Sequence, residues 1–127
     1  RIVELPEEKI EEKNASDAVV KKALDKEGKA ILASARKGAA IVAMCIEGKG
    51  CSSEELASLM AQCAVQGKSR VCFLIGGSDG LSDEVKRAAD VRLSMSRMTF
   101  PHHLARVMVL EQIYRAFNIN EGGKYHK

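Results

Sequence analysis

Long apolar runs, paired cysteines, repeats and linkers are all missing from this chain of 127 residues. No stretch approaches the roughly 20 apolar residues of a membrane helix, and the opening residues do not read as a secretory signal. The expectation is a cytoplasmic protein with no membrane partner. The four cysteines, Cys45, Cys51, Cys63 and Cys72, are never two or three residues apart, so no zinc knuckle or redox pair is written here and no metal is expected. Cys45 and Cys72 sit inside apolar strand-like runs and read as small, reduced core residues. With no linker or low-complexity stretch, residues 1–127 read as a single domain with one core.

A charge imbalance is also missing from most of the chain. Residues 1–96 carry 15 Lys/Arg and 15 Asp/Glu, so the net +3 lies wholly in the last quarter. There Arg97, Arg106, Arg115, Lys124 and Lys127 face only Glu111 and Glu121, with His102, His103 and His126 nearby. A local basic face of this kind suits a phosphate backbone. A solvated, mildly basic helix is the plainer alternative.

What is present alternates between strand and helix patterns. "RIVEL" reads as a short strand and "PEEKIEEKN" as a polar connection. "SDAVVKKALDKEGKAILASA" carries apolar residues at helical spacing with Ser16 as cap, weakened midway by Gly28. "AAIVAMCI" is a strand covered on both faces and "EGKGC" a loop. "SSEELASLMAQCAV" is a helix capped by Ser52 or Ser53, "RVCFLI" a second buried strand, and "GGSDG" a tight turn. "LSDEVKRAA" is a short helix, "VRLSMS" a short strand, and "PHHLARVMVLEQIYRAF" a long helix with Pro101 at its first turn. The pattern predicts an α/β fold: a mostly parallel sheet with helices on both faces. Ligands in such sheets gather outside the carboxyl ends of the strands, which points to loops 47–51, 76–80 and 95–100.

Two apparent motifs fail. "GKS" at 67–69 would need a glycine where Gln62 stands, and it precedes a strand. "GGSDG" lacks the dinucleotide spacing. Its glycines permit positive φ or close backbone approach to a ligand, or else only a tight packing turn. In "LSMSRMTFPHH", Met95, Met98 and Phe100 either wall a pocket for a flat ring or fill core. On the last helix, Leu104, Val107, Met108, Leu110, Ile113, Tyr114 and Phe117 cover more than one stripe. A helix so apolar is expected to pack on its own sheet and on a second copy, making a homodimer.

"FLIGGSDGLSDEV", "LSMSRMTFPHHLARVMVLEQIYRAFNI" and the final "GGKYHK" resemble the RlmH family of the SPOUT superfamily. These enzymes methylate N3 of a pseudouridine in large-subunit (23S) ribosomal RNA. The resemblance covers nearly the whole chain and is dense from Gly76 to Lys127. It implies a trefoil knot in the C-terminal part, a rare exception among folds, and S-adenosylmethionine as cofactor. Carried over, the cofactor site falls on Met44 with the following 47–50 loop, on Gly76 and Gly77, and on Met95, Ser96, Arg97, Met98, Thr99 and Phe100. Family members usually begin with a further strand and helix, so this chain reads as N-terminally incomplete.

The same resemblance makes residues 118–127 an active-site tail hinged at Gly122 and Gly123. His126 would take the proton leaving N3, Tyr125 would orient the ring, and Arg106 would stand by as a cation. His102, Arg115, Lys124 and Lys127 would hold RNA. The tail is expected to fold over a cofactor pocket, that of a partner subunit, with the assembled ribosome as docking platform. Two other readings compete. One is an RNA-binding module of the same fold without catalysis. The other is an unrelated nucleotide-binding domain, disfavoured because Asp79 and the absence of lysine make "GGSDG" a poor phosphate cradle.

Overall fold

A computed structural model describes residues 2–6, 16–35, 37–77 and 79–126. Three serines start three of its helices. Ser16 caps α1 (Asp17–Ser34), its hydroxyl accepting from the Val19 amide at 3.2 Å. Ser52, not Ser53, caps α2 (Ser53–Val65). It does so reciprocally: its hydroxyl accepts from the Glu55 amide at 3.1 Å, and the Glu55 carboxylate accepts from the Ser52 amide at 3.0 Å. Ser82 caps α3 (Asp83–Ala88) and is itself buried. Pro101 stands at the cap of α4 (His102–Asn120), where its missing N–H leaves no donor unsatisfied.

The strands β1 (Ala40–Gly50), β2 (Val71–Leu74) and β3 (Val91–Ser94) form one parallel sheet in the order β2-β1-β3. The central strand is covered on both sides, as its unbroken apolar run requires. Val42 joins Leu93 with Leu56 and Ala57 of α2 and Ala116 of α4. Its neighbour Ala43 joins Leu74 with Leu81 and with Val85 of α3 on the opposite face. Asp90 clasps the base of β1 to β3: its carboxylate accepts from the Ile41 amide at 2.7 Å, and its own amide donates to the Ile41 carbonyl at 2.8 Å. Asn120 ties the end of α4 to the Ala57 carbonyl at 3.1 Å.

Three readings of the sequence are corrected here. "RIVEL" is not a strand where it is described: Ile2–Pro6 have no regular structure, Ile2 is 71% exposed, and no strand among the described residues pairs with the segment. It lies against α4 instead, with Glu4 3.5 Å from Arg106. The polar stretch after it falls on residues 7–15, outside the described residues. "EGKGC" is not a plain loop, because β1 continues through Gly50 after a register break. Leu93 faces Met44 and then Lys49, so the backbone between those two bulges away from β3. Gly28 does not merely weaken α1. It is buried where a Cβ would sit 2.3 Å from the Ser82 hydroxyl, and its lack of a side chain lets α1 press against the start of α3.

Candidate active site

All the strand ends contribute to one cleft of about 350 Å³, at the lower end of the range for small-molecule sites. From β1 come Met44, the last paired residue before the bulge, and the bulged Cys45, Ile46 and Glu47. From the turn after β2 come Ile75, Gly76, Gly77, Asp79 and Gly80. From the segment after β3 come Met95, Ser96, Met98, Thr99 and Phe100, with His102, Ala105 and Val109 of α4 behind them and Leu81 and Lys86 beside them.

The turn after β2 explains its glycines. Gly77 and Gly80 bridge antiparallel, with the Gly80 amide donating to the Gly77 carbonyl at 3.1 Å. Gly80 has φ +83°, a conformation that excludes most side chains, and a Cβ on Gly76 would lie 2.3 Å from the Gly80 carbonyl oxygen. The close approach is therefore within the turn itself, and positive φ belongs to Gly80 alone among these glycines. The turn after β3 is held by hydroxyls. Ser94 donates to the Ser96 carbonyl at 2.8 Å, and the Ser96 hydroxyl accepts from the Met98 amide at 3.0 Å. That arrangement brings Met95, Met98 and Phe100 to the cleft and leaves Arg97 exposed and outside it.

The cleft's electrostatics are sparse. Lys86 is the one Lys or Arg among its lining residues, and it pairs with Glu47. The hydrogen bond from Lys86 holds the Glu47 carboxyl below its ordinary value. Burial, and then the charge of Glu47, push the Cys45 thiol up, so it stands in the cleft as a thiol and not as a nucleophile. The four cysteines are free, and the described residues contain no cluster suited to a metal.

Met44, Gly76, Gly77, Met95, Ser96, Met98, Thr99 and Phe100 thus meet, as does His102, which was expected at the RNA. Arg97 does not join them. Arg106, Arg115, Lys124, Tyr125 and His126 do not line this cleft either, and Lys127 lies outside the described residues. Tyr125 and His126 instead dock on α4 and the start of α2. The Tyr125 hydroxyl donates to Glu111 at 3.1 Å, and its ring meets Tyr114 edge-on at 4.9 Å beneath the Arg115 guanidinium. Arg115 donates to Nδ1 of His126 at 3.0 Å, and Nε2 faces Glu54. Because Arg115 can only donate, Nδ1 accepts and Nε2 carries the proton toward Glu54. Both ring nitrogens are engaged, so His126 has no free lone pair for catalysis in this arrangement. Arg115 also holds Glu111 well below the ordinary carboxylate value, and Glu111 raises Tyr125.

Sequence reasoning missed Lys86 entirely. The short helix beginning at "LSDEV" was legible, and Lys86 lies one turn after Ser82, its amide donating to the Ser82 carbonyl. That phase was the available signal that Lys86 returns over the turn after β2.

A match over residues 1–126 to the family described as "Predicted SPOUT methyltransferase" accounts for this arrangement. The chain belongs to that family. It is 55% identical over 126 residues to "Ribosomal RNA large subunit methyltransferase H" of Clostridioides difficile, covering 99% of this chain and 79% of that relative. Proteins of the same name from Bacillus pumilus and Clostridium perfringens are 51% and 46% identical over the same shares. The donor set fits S-adenosylmethionine: methionine and phenylalanine walls for a purine, exposed peptide groups of a glycine turn, and a paired cation and carboxylate for a charged end.

Proposed function

We propose that this SPOUT methyltransferase uses S-adenosylmethionine to methylate N3 of a pseudouridine in 23S ribosomal RNA. The reading has it acting in the cytoplasm on the assembled ribosome, as a homodimer whose C-terminal part is threaded as a trefoil knot. The observation that carries the chemistry is the cleft shared by the bulge of β1 and the segments following β2 and β3. The RNA target rests on the names of the relatives and on the basic last quarter of the chain.

Met44, Met98 and Phe100 would wall the adenine, while peptide groups of Gly76 and Gly77 and of Met95–Phe100 would read its edge. Bound there, the cofactor supplies a methyl group that is already electrophilic. The protein's share is alignment and proton management. As the N3–C bond forms, the N3–H bond must break, and the proton needs an acceptor. His126 is that acceptor in this reading, with Tyr125 orienting the ring and Arg106 stabilising the developing negative charge. His102, Arg115, Lys124 and Lys127 hold the RNA.

Since the docked tail holds His126 between Arg115 and Glu54, it has to leave those contacts before it serves a cleft, and in this reading the cleft it serves is that of a second copy. The exposed face of α4 supports that reading. Val107, Leu110, Tyr114 and Phe117 repeat at spacings of three and four on one side, and Val107 is 62% exposed. Val109 and Ala116 are the buried residues of the same helix. Calorimetric titration of S-adenosylmethionine, followed by transfer of a labelled methyl group to unmodified ribosomes, tests the proposal. Micromolar binding that is lost in Gly77→Trp, together with label in 23S RNA, is the expected result. Binding without transfer to any RNA would reduce the protein to a binding module.

A further inference from the structure

The Lys86–Glu47 pair has no structural reason to be where it is. An ion pair this accessible contributes little to stability. Yet its two members come from different elements, the bulge of β1 and the helix α3, and meet at the edge of an otherwise largely apolar cleft. The Lys86 side chain is three-quarters covered, with 25% exposure, while Glu47 remains 58% exposed. Lys86 thus reaches the cleft as the more covered member of the pair, with Glu47 as its ion-pair partner.

Resting on the cofactor reading above, we propose that Lys86 and Glu47 form the subsite for the amino-acid end of S-adenosylmethionine. In it Lys86 takes the carboxylate and Glu47 the ammonium group. A zwitterion presents both signs within a few bonds, and a fixed pair of opposite charges is its complement. Lys86 is also the one lining residue that is a permanent cation, so a carboxylate entering this cleft has no other such partner in it. Asp79 lines the same cleft and adds a second negative charge to its wall. The apolar walls at Met44, Met98 and Phe100 then serve the adenine. The division of labour predicts that specificity for the intact amino-acid end resides in two side chains, while affinity for the nucleoside resides in the turns.

The test is a binding cycle with three compounds: S-adenosylmethionine, its decarboxylated analogue, and 5′-methylthioadenosine, which lacks the whole amino-acid end. Removing one charge-assisted contact is expected to change affinity by about tenfold to a hundredfold. The unaltered protein should therefore bind S-adenosylmethionine at least about tenfold more tightly than the decarboxylated analogue. Lys86→Met should erase that preference and leave 5′-methylthioadenosine binding unchanged, which also reports that the cleft is intact. Glu47→Gln should weaken S-adenosylmethionine and the decarboxylated analogue, both of which keep the ammonium group. If the unaltered protein binds all three compounds equally, the subsite is wrong and the cofactor reading stands. If Lys86→Met weakens all three alike, Lys86 supports the cleft's shape and the subsite is again wrong. If the unaltered protein binds none of the three, the cofactor reading fails and the subsite falls with it.

Discussion

The two ends of this molecule treat their functional residues differently. At the strand ends, turns distant in sequence converge on one cleft, and the pieces fit without help from another chain. At the tail, Tyr125 and His126 are equally well placed, but against α4 and α2 of their own chain, where Glu111, Arg115 and Glu54 consume their hydrogen-bonding capacity. In the proposed reading the cleft holds the cofactor with residues of one chain, while the tail residues proposed for catalysis do not line that chain's own cleft. Binding and catalysis should therefore be separable by mutation, and the experiments below probe that separation in order of expected effect.

Gly76→Val should do the most damage. Its Cβ would meet the Gly80 backbone at 2.3 Å, which neither turn residue can yield. A loss of about 3 kcal/mol in stability is expected from forced overpacking, with S-adenosylmethionine binding abolished, as read by chemical denaturation and calorimetry. A Gly76→Val protein of ordinary stability and affinity would mean the turn is not as drawn. Removing residues 124–127 should come next: a fall in methyl transfer of about a hundredfold or more, the size of a lost general base, with cofactor affinity unchanged. Loss of affinity instead would show that the tail belongs to the cofactor pocket of its own chain.

Phe117→Asp should abolish the proposed dimer by placing a carboxylate in the apolar stripe of α4, at a cost of several kcal/mol to association. Sedimentation should then report a monomer that still binds cofactor. An unchanged sedimentation coefficient would remove α4 from the interface.

The smallest effect concerns acid. Glu47, Glu54 and Glu111 all have carboxyls held below the ordinary value of 4.5 in the folded chain. A lowered folded-state value means that each group stabilises the protein above 4.5, and that the contribution disappears as pH falls through the folded-state values. Stability should thus be flat from neutrality down to about pH 5 and decline below it. Glu111→Gln and Glu54→Gln together should shallow that decline. They should also free the tail, seen as sharper, more mobile resonances of Tyr125 and His126.

How much of this was legible in sequence depends on the kind of residue. The caps at Ser16 and at Ser52 or Ser53, and the apolar run of β1, are local signals, and each element appeared where they put it. The turns that line the cleft were placed together because α/β sheets gather such loops at strand ends. Long-range effects stayed hidden. Nothing in "EGKGC" says that a strand resumes after a bulge, since that depends on Leu93 offering a partner twice. Gly28 looked like a weak helix position because its reason, Ser82, is 54 residues away. "RIVEL" has strand composition but no partner strand among the described residues, and composition alone cannot supply an edge. Lys86 and Glu47 were invisible as a pair for the same reason. The tail residues were legible only through family resemblance, and their positions here tie them to α4 and not to the cleft of the same chain.

The most direct measurement mixes two disabled proteins. One carries Gly77→Trp and so lacks a usable cleft, and the other lacks residues 124–127. If the cleft binds the cofactor and a second copy's tail completes it, neither alone should methylate ribosomes. Their equal mixture, after subunit exchange, should recover about a quarter of the sites of the unaltered dimer, since half the dimers are mixed and each has one complete site. No recovery from well-folded, fully exchanged dimers would contradict the account and return the tail to its own chain.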